Sequence, residues 1–262
     1  MPVETHIDRA RERVRAERDA VDAKHDAYET FGGRVSKLQT DRTSPSATRT
    51  AGGVGSHHAV DGSGCDRCRP VRTAFAETVL PHSVADIDET ESVVETIREE
   101  FGPEIAVALA PTTATSFTPE LKQTVLAGVR SRRSEIAALQ DALCREADVL
   151  TDAAETVDEV VDWLVDRDET PLTDLGFEAL SRRHERLVAY GDRCDAVARR
   201  RQQFLRAATA SGIDAGVRHQ RLVVYLYQDF PVDYPVLSTI SSLAETCRVC
   251  RRRVRAHLVR RV

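Results

Sequence analysis

Four of the six cysteines fall in two Cys-x-x-Cys pairs, Cys65 with Cys68 and Cys247 with Cys250. Thiolates are soft ligands, and a two-residue spacer lets each pair span two corners of a tetrahedron, so the four together match what structural zinc takes. Arginines follow both pairs, Arg69 and Arg72 after the first and Arg251, Arg252, Arg253 and Arg255 after the second. Their charge would offset the negative charge of a Zn(Cys)4 centre. Cys65, Cys68, Cys247 and Cys250 are therefore the candidate ligands of one shared zinc. Two other chemistries fit the same residues: a redox or disulfide role, which normally sits on a βαβ scaffold, and plain unligated thiols. His82, after Pro81, is an alternative fourth ligand, while Cys144 and Cys194 stand alone in helical segments and read as small core residues.

The other chemistry on offer is electrostatic. Residues 247–262 hold seven arginines and no acid. Arg248, Arg251, Arg252, Arg253 and Arg255 on one helix could track phosphates, which makes nucleic acid an alternative partner. The favoured reading is pairing with acids elsewhere or simple solvation: the net charge is −5, and residues 148–178 carry eleven acids against the single basic Arg167. Tyr225, Tyr227, Phe230 and Tyr234 crowd around Pro231 and Pro235. This aromatic corner over 225–235 reads as rigid packing, with an enzyme pocket as the alternative. The chain contains no Gly-rich phosphate loop, Gly-x-Ser-x-Gly, His-Glu-x-x-His or EF-hand spacing, so the non-enzymatic reading leads.

The elements that must position these residues are helices. Ile7, Val14, Val21, Tyr28 and Val35 recur every seven residues, with Ala10, Phe31 and Leu38 offset by three, and predict an N-terminal heptad-like helix within residues 1–39. Glu17 and Lys24 interrupt its second seam position. Residues 40–64, built from Ser, Thr, Gly, Arg and Ala, bury too little to offset chain entropy and predict a disordered linker. The helical main domain then occupies 65–262. A helix from Pro70 to Leu80 is expected to break at Pro81, and one from Asp86 to Glu100 to close at Gly102-Pro103, with a loop around Pro111.

Thr118-Pro119-Glu120 is a strong helix start, an N-cap followed by a first-turn proline and acid. The seam beyond it runs through Val125, Val129, Ile136, Leu139, Leu143, Leu150, Ala153, Val157, Val160 and Leu164, broken by Arg132 and Glu146. After a turn over 168–176, Phe177, Leu180, Leu187, Cys194, Val197 and either Phe204 or Leu205 form a second seam. Two long helices joined by a short turn should lie antiparallel, as a coiled-coil-like hairpin packed with shorter helices. The fold class is all-α. The hydrophobic set of 41%, few Gly and Pro, and apolar runs far shorter than the roughly 18 residues of a membrane span favour a protein with no membrane partner.

Cys65-x-x-Cys68-Arg69, Glu77-Thr78-Val79-x-Pro81-His82-Ser83, Phe117-Thr118-Pro119-Glu120-Leu121 and the stretch Tyr225 to Thr239 together resemble an uncharacterised family of halophilic archaea, a domain of unknown function, over most of the chain. The resemblance implies a salt-adapted cytoplasm and assigns no activity and no functional residue. The function expected from the sequence is a helical scaffold or regulatory protein, clamped by zinc, that meets a protein partner or a second copy through its helical seams.

Overall fold

A helix needs its first amide groups satisfied, and Thr5 with Asp8 does this reciprocally. The Asp8 carboxylate accepts from the Thr5 backbone N–H at 2.9 Å and hydroxyl at 2.8 Å, while the Thr5 hydroxyl accepts from the Asp8 N–H. Helix α1, His6–Lys37, follows. The computed structural model describes residues 5–41, 66–83, 93–113, 115–210 and 221–260. The expected linker, Cys65 and the start of the expected 86–100 helix lie outside them, save Thr40 and Asp41. All regular structure among the described residues is helical. Two compact units result, one of Asp19–Gln140 and one of Met1–Arg18 with Asp141–Val262.

In the unit of residues 19–140, α2 (Arg69–Thr78) starts with Pro70 in its first turn and is followed by a 3-10 turn at Leu80–His82, where Pro81 ends the α-helical path. Helix α3 (Val93–Phe101) closes at Gly102, whose φ of 89° favours glycine. The sequence reading stops there, whereas the chain turns on Gly102 into α4 (Pro103–Leu109). Pro103 sits where its missing N–H costs nothing, and Ile105, Ala106 and Leu109 are buried.

The first half of α5 (Pro119–Asp168) starts on Thr118, whose hydroxyl accepts the Leu121 N–H at 3.2 Å. Its Lys122 donates to the carbonyls of Ser36 and Leu38 at 2.7 and 2.8 Å, capping the end of α1. Further along α5, Arg133 pairs with Glu29 and Gln140 donates to Asp22, so these stretches of α1 and α5 run antiparallel. Tyr28, Phe31, Phe75 and Phe101 form an aromatic core with ring centroids 5.5–6.0 Å apart.

In the other unit, the second half of α5 faces α6 (Phe177–Ala210). Glu146 meets Arg201, Glu159 meets Tyr190 and Arg193, and Trp163 meets Tyr190, so the partner's number falls as α5 advances. That order is antiparallel. Leu143, Leu150, Ala153, Val157 and Val160 are buried opposite Leu180, Leu187, Cys194 and Val197. Leu139, in the other unit, is only half-buried, as is its neighbour Gln140. Helical residues 221–227 (α7) bury Leu222, Val223, Leu226 and Tyr227, and α8 (Pro235–Val259) packs along α6 through Ile240, Leu243, Cys247 and Val254.

Candidate functional site

The candidate zinc ligands occupy distinct settings. Cys65 lies outside the described residues, Cys68 belongs to the unit of residues 19–140, and Cys247 and Cys250 lie on α8 in the other. Cys68 is buried just before α2, and its single S–H has two carbonyls within reach, Ala108 at 3.7 Å and Thr115 at 3.5 Å. Burial raises its pKa, against the nearby Arg72 charge. Arg72 itself donates to the Leu109 carbonyl at 2.5 Å and pairs with Asp66, whose carboxyl it holds below the usual range. Cys68 and Arg72 thus satisfy carbonyls at the end of α4. His82 is exposed on the short 3-10 turn.

Cys247 is not alone, because its thiol lies beside that of Cys194 on α6 and the two titrate against each other, with the residues 1% and 0% exposed. The contact holds the Cys194 pKa down and pushes that of Cys247 up, as expected where the Cys247 S–H donates to the Cys194 sulfur. Reading Cys194 as a lone core thiol misses this pairing. Both cysteines occupy seam positions, Cys194 seven residues after Leu187 and Cys247 seven after Ile240, which is the signal that could have joined them. Cys250 is half-buried and borders a cavity. Among the described residues no three His, Cys, Asp or Glu side chains come together to hold a metal.

The terminal arginines divide among several surroundings. Arg248 pairs with Glu245, and Arg252 reaches the same carboxylate at 3.5 Å. Arg251 shares a groove between α6 and α8 with Asp192 and Asp195. Arg255 is exposed. Arg253 borders a cavity of about 260 Å3 with Trp163, Arg167, Asp168, Arg183 and Cys250. A neighbouring cavity of about 280 Å3 shares Trp163, Arg167 and Arg183 and adds Arg182 and Arg186. Burial and the adjacent Arg167 charge lower the Arg183 pKa, with Asp168 and Cys250 acting the other way.

The charges that interrupt the heptad seams all find polar partners on another element. Glu146 is fully buried and receives both ends of the Arg201 guanidinium, at 2.8 and 2.7 Å, together with the Tyr227 hydroxyl at 2.6 Å. Burial against Glu146 pushes the Tyr227 pKa far up. In the other unit Glu100 receives Lys24 at 2.8 Å and the Tyr28 hydroxyl at 2.5 Å, with Arg132 at 3.4 Å. Burial would raise its pKa, but these donors hold it below the usual carboxylate range. Arg132 also caps α3 by donating to the carbonyls of Glu99 and Glu100. Glu17 accepts from Tyr225 at 3.2 Å. The aromatic corner is drawn into packing in part: Tyr227 is buried and binds Glu146 and Phe230 lies against Tyr227 and Arg9, while Tyr225, under Arg13, and Tyr234 stay exposed.

No curated protein and no solved structure matches the chain. One family does: the profile of the domain of unknown function DUF7260 covers residues 5–251, nearly the whole chain, and the chain belongs to that family.

Proposed function

We propose that this protein is a non-enzymatic helical scaffold or regulatory protein. The observation that carries the reading is the fate of the charged seam residues. Two carboxylates held between helices, fully buried Glu146 and half-buried Glu100, are each engaged by several donors from neighbouring helices. A carboxylate so engaged is a peg between helices and a poor proton acceptor, because taking a proton would forfeit its cationic partners. The pairing of Arg248 and Arg252 with Glu245, and the presence of Asp192 and Asp195 in the groove beside Arg251, weaken the case for a nucleic-acid track. The family resemblance supports a salt-adapted cytoplasm, and the free thiols suit its reducing conditions.

Native-size chromatography of the tagged full chain, with crosslinking before lysis, tests the reading. A discrete complex containing the same stoichiometric partner, or a defined self-assembly, is expected. A lone monomer that turns over a compound in an untargeted metabolite screen overturns it.

The four-thiol zinc clamp is part of the same proposal on ligand type and spacing alone. Zinc takes thiolates. Ligation would therefore replace the Cys68 contacts with the Ala108 and Thr115 carbonyls and the Cys247 contact with Cys194. One zinc per chain that is lost in Cys68→Ser, with a melting point lowered by chelator, is the required result. Metal-free protein whose melting ignores the chelator removes the clamp and leaves the scaffold reading intact.

A further inference from the structure

We propose that the arginine-lined cavity beside Trp163 binds a free nucleoside phosphate, with Arg167 and Arg183 on the phosphate and the Trp163 indole against the base.

The charge balance of the cavity motivates the anion. Arg167, Arg182, Arg183 and Arg186 line one lobe without an acid, and the second lobe adds Arg253 and a single acid, Asp168. Asp166, Glu178 and Glu159, which pair with Arg167, Arg182 and Arg186, are not part of the lining. Arg183 and Arg253 have no carboxylate within ion-pair distance among the described residues, and Arg183 donates only to the Thr170 carbonyl at 3.5 Å. Like charges held together in a concave, partly apolar site focus a positive potential. Burial first and the adjacent Arg167 charge second lower the Arg183 pKa, so its cation is under strain there. Guanidinium groups relieve it best with a phosphate, whose oxygens fit their paired N–H bonds.

The walls specify more than a bare anion. Trp163 borders both lobes and is braced edge-on against Tyr190, with centroids 5.3 Å apart at 65°. Leu164, Leu172 and Leu187 continue the apolar surface. An indole beside aliphatic side chains offers stacking area to a planar base, which inorganic phosphate cannot use. A polynucleotide fits less well, because Asp166 and Glu178, 64% and 88% exposed beside these arginines, would repel a continuing strand.

Trp163 is the chain's single tryptophan, so its fluorescence reports on this site alone. The full chain is titrated with ATP, AMP, adenosine, tripolyphosphate and a short single-stranded oligonucleotide, with calorimetry on the same samples in case the indole signal is silent. Saturable ATP binding is expected, with tripolyphosphate weaker and adenosine weaker still. Arg183→Gln should weaken ATP by about tenfold, the loss of one charge-assisted hydrogen bond, while the melting point holds. Arg252→Gln, at an exposed arginine outside both lobes, should change nothing. ATP should also slow alkylation of Cys250, which borders the cavity, and leave that of exposed Cys144 unchanged. The proposal fails if ATP gives neither signal nor heat at millimolar concentration, or if Arg183→Gln binds as well as the parent. Tripolyphosphate binding as tightly as ATP removes the base contact, and an oligonucleotide that outcompetes ATP overturns the free-nucleotide assignment.

Discussion

Removing the carboxylate of Glu146 should be the most damaging single polar change in its unit. Glu146 and Arg201 are 0% and 1% exposed, and two parallel N–H···O contacts of 2.8 and 2.7 Å join them. Glu146→Leu would strand a buried guanidinium and a buried phenol, a loss of about 3–5 kcal/mol. Arg201→Met alone should cost a similar amount, since it takes both guanidinium hydrogen bonds from a fully buried carboxylate. Tyr227→Phe should cost less, about 1.5–3 kcal/mol for a hydrogen bond to a charged group. The combination Glu146→Leu, Arg201→Met and Tyr227→Phe removes these three polar groups together, so it should recover much of the loss. Urea unfolding followed by Trp163 fluorescence reads the same unit, which avoids treating a two-unit chain as one transition. If the triple variant loses the sum of the three single losses, the residues are uncoupled and the network described here is not what holds the helices.

Three further outcomes follow from other contacts. Glu100 has its pKa held below its ordinary value of 4.5, so its interactions stabilise the fold above that pH and are lost as pH falls through the lowered folded value. Glu100→Gln should flatten the acid limb of the stability profile, and an unchanged slope would count against the Lys24, Tyr28 and Arg132 cluster. Gly128→Ala gains about 1 kcal/mol of helix propensity in principle, but its Cβ would lie 2.8 Å from the Phe101 ring. A net destabilisation of about 1–3 kcal/mol is therefore expected in thermal melts, and a stabilised variant would mean that the ring is free to move. Peptide-level alkylation of native protein should modify exposed Cys144 first and Cys250 next, with Cys194 and Cys247 reacting only on unfolding. Early labelling of Cys194 would contradict its burial against Cys247.

Much of the helical framework was legible because capping and apolar spacing are local. Thr118-Pro119 marks the start of α5, and the seven-residue repeat from Ile7 to Val35 marks the buried face of α1. Helix α4 was not legible, because the Gly102-Pro103 dipeptide that reads as a stop is also a turn followed by a permitted first-turn proline. The polar pegs were hidden for a different reason. Glu17, Lys24, Arg132 and Glu146 register as breaks when a seam is scored by apolar residues alone, although each keeps its place in the repeat. Arg201 lies seven residues after Cys194, which lies seven after Leu187, so the seam of α6 continues through a cation while that of α5 continues through an anion. Opposite charges at seam positions of two helices that the turn over 168–176 forces together leave one low-energy solution, mutual pairing away from water. Tyr227 could not be found this way, since it reaches Glu146 from α7, a separate element brought in by the tertiary fold. The same limit applies to Trp163 and its arginines: residues 163, 167, 183 and 253 come from three helices, and no spacing along the chain encodes their convergence.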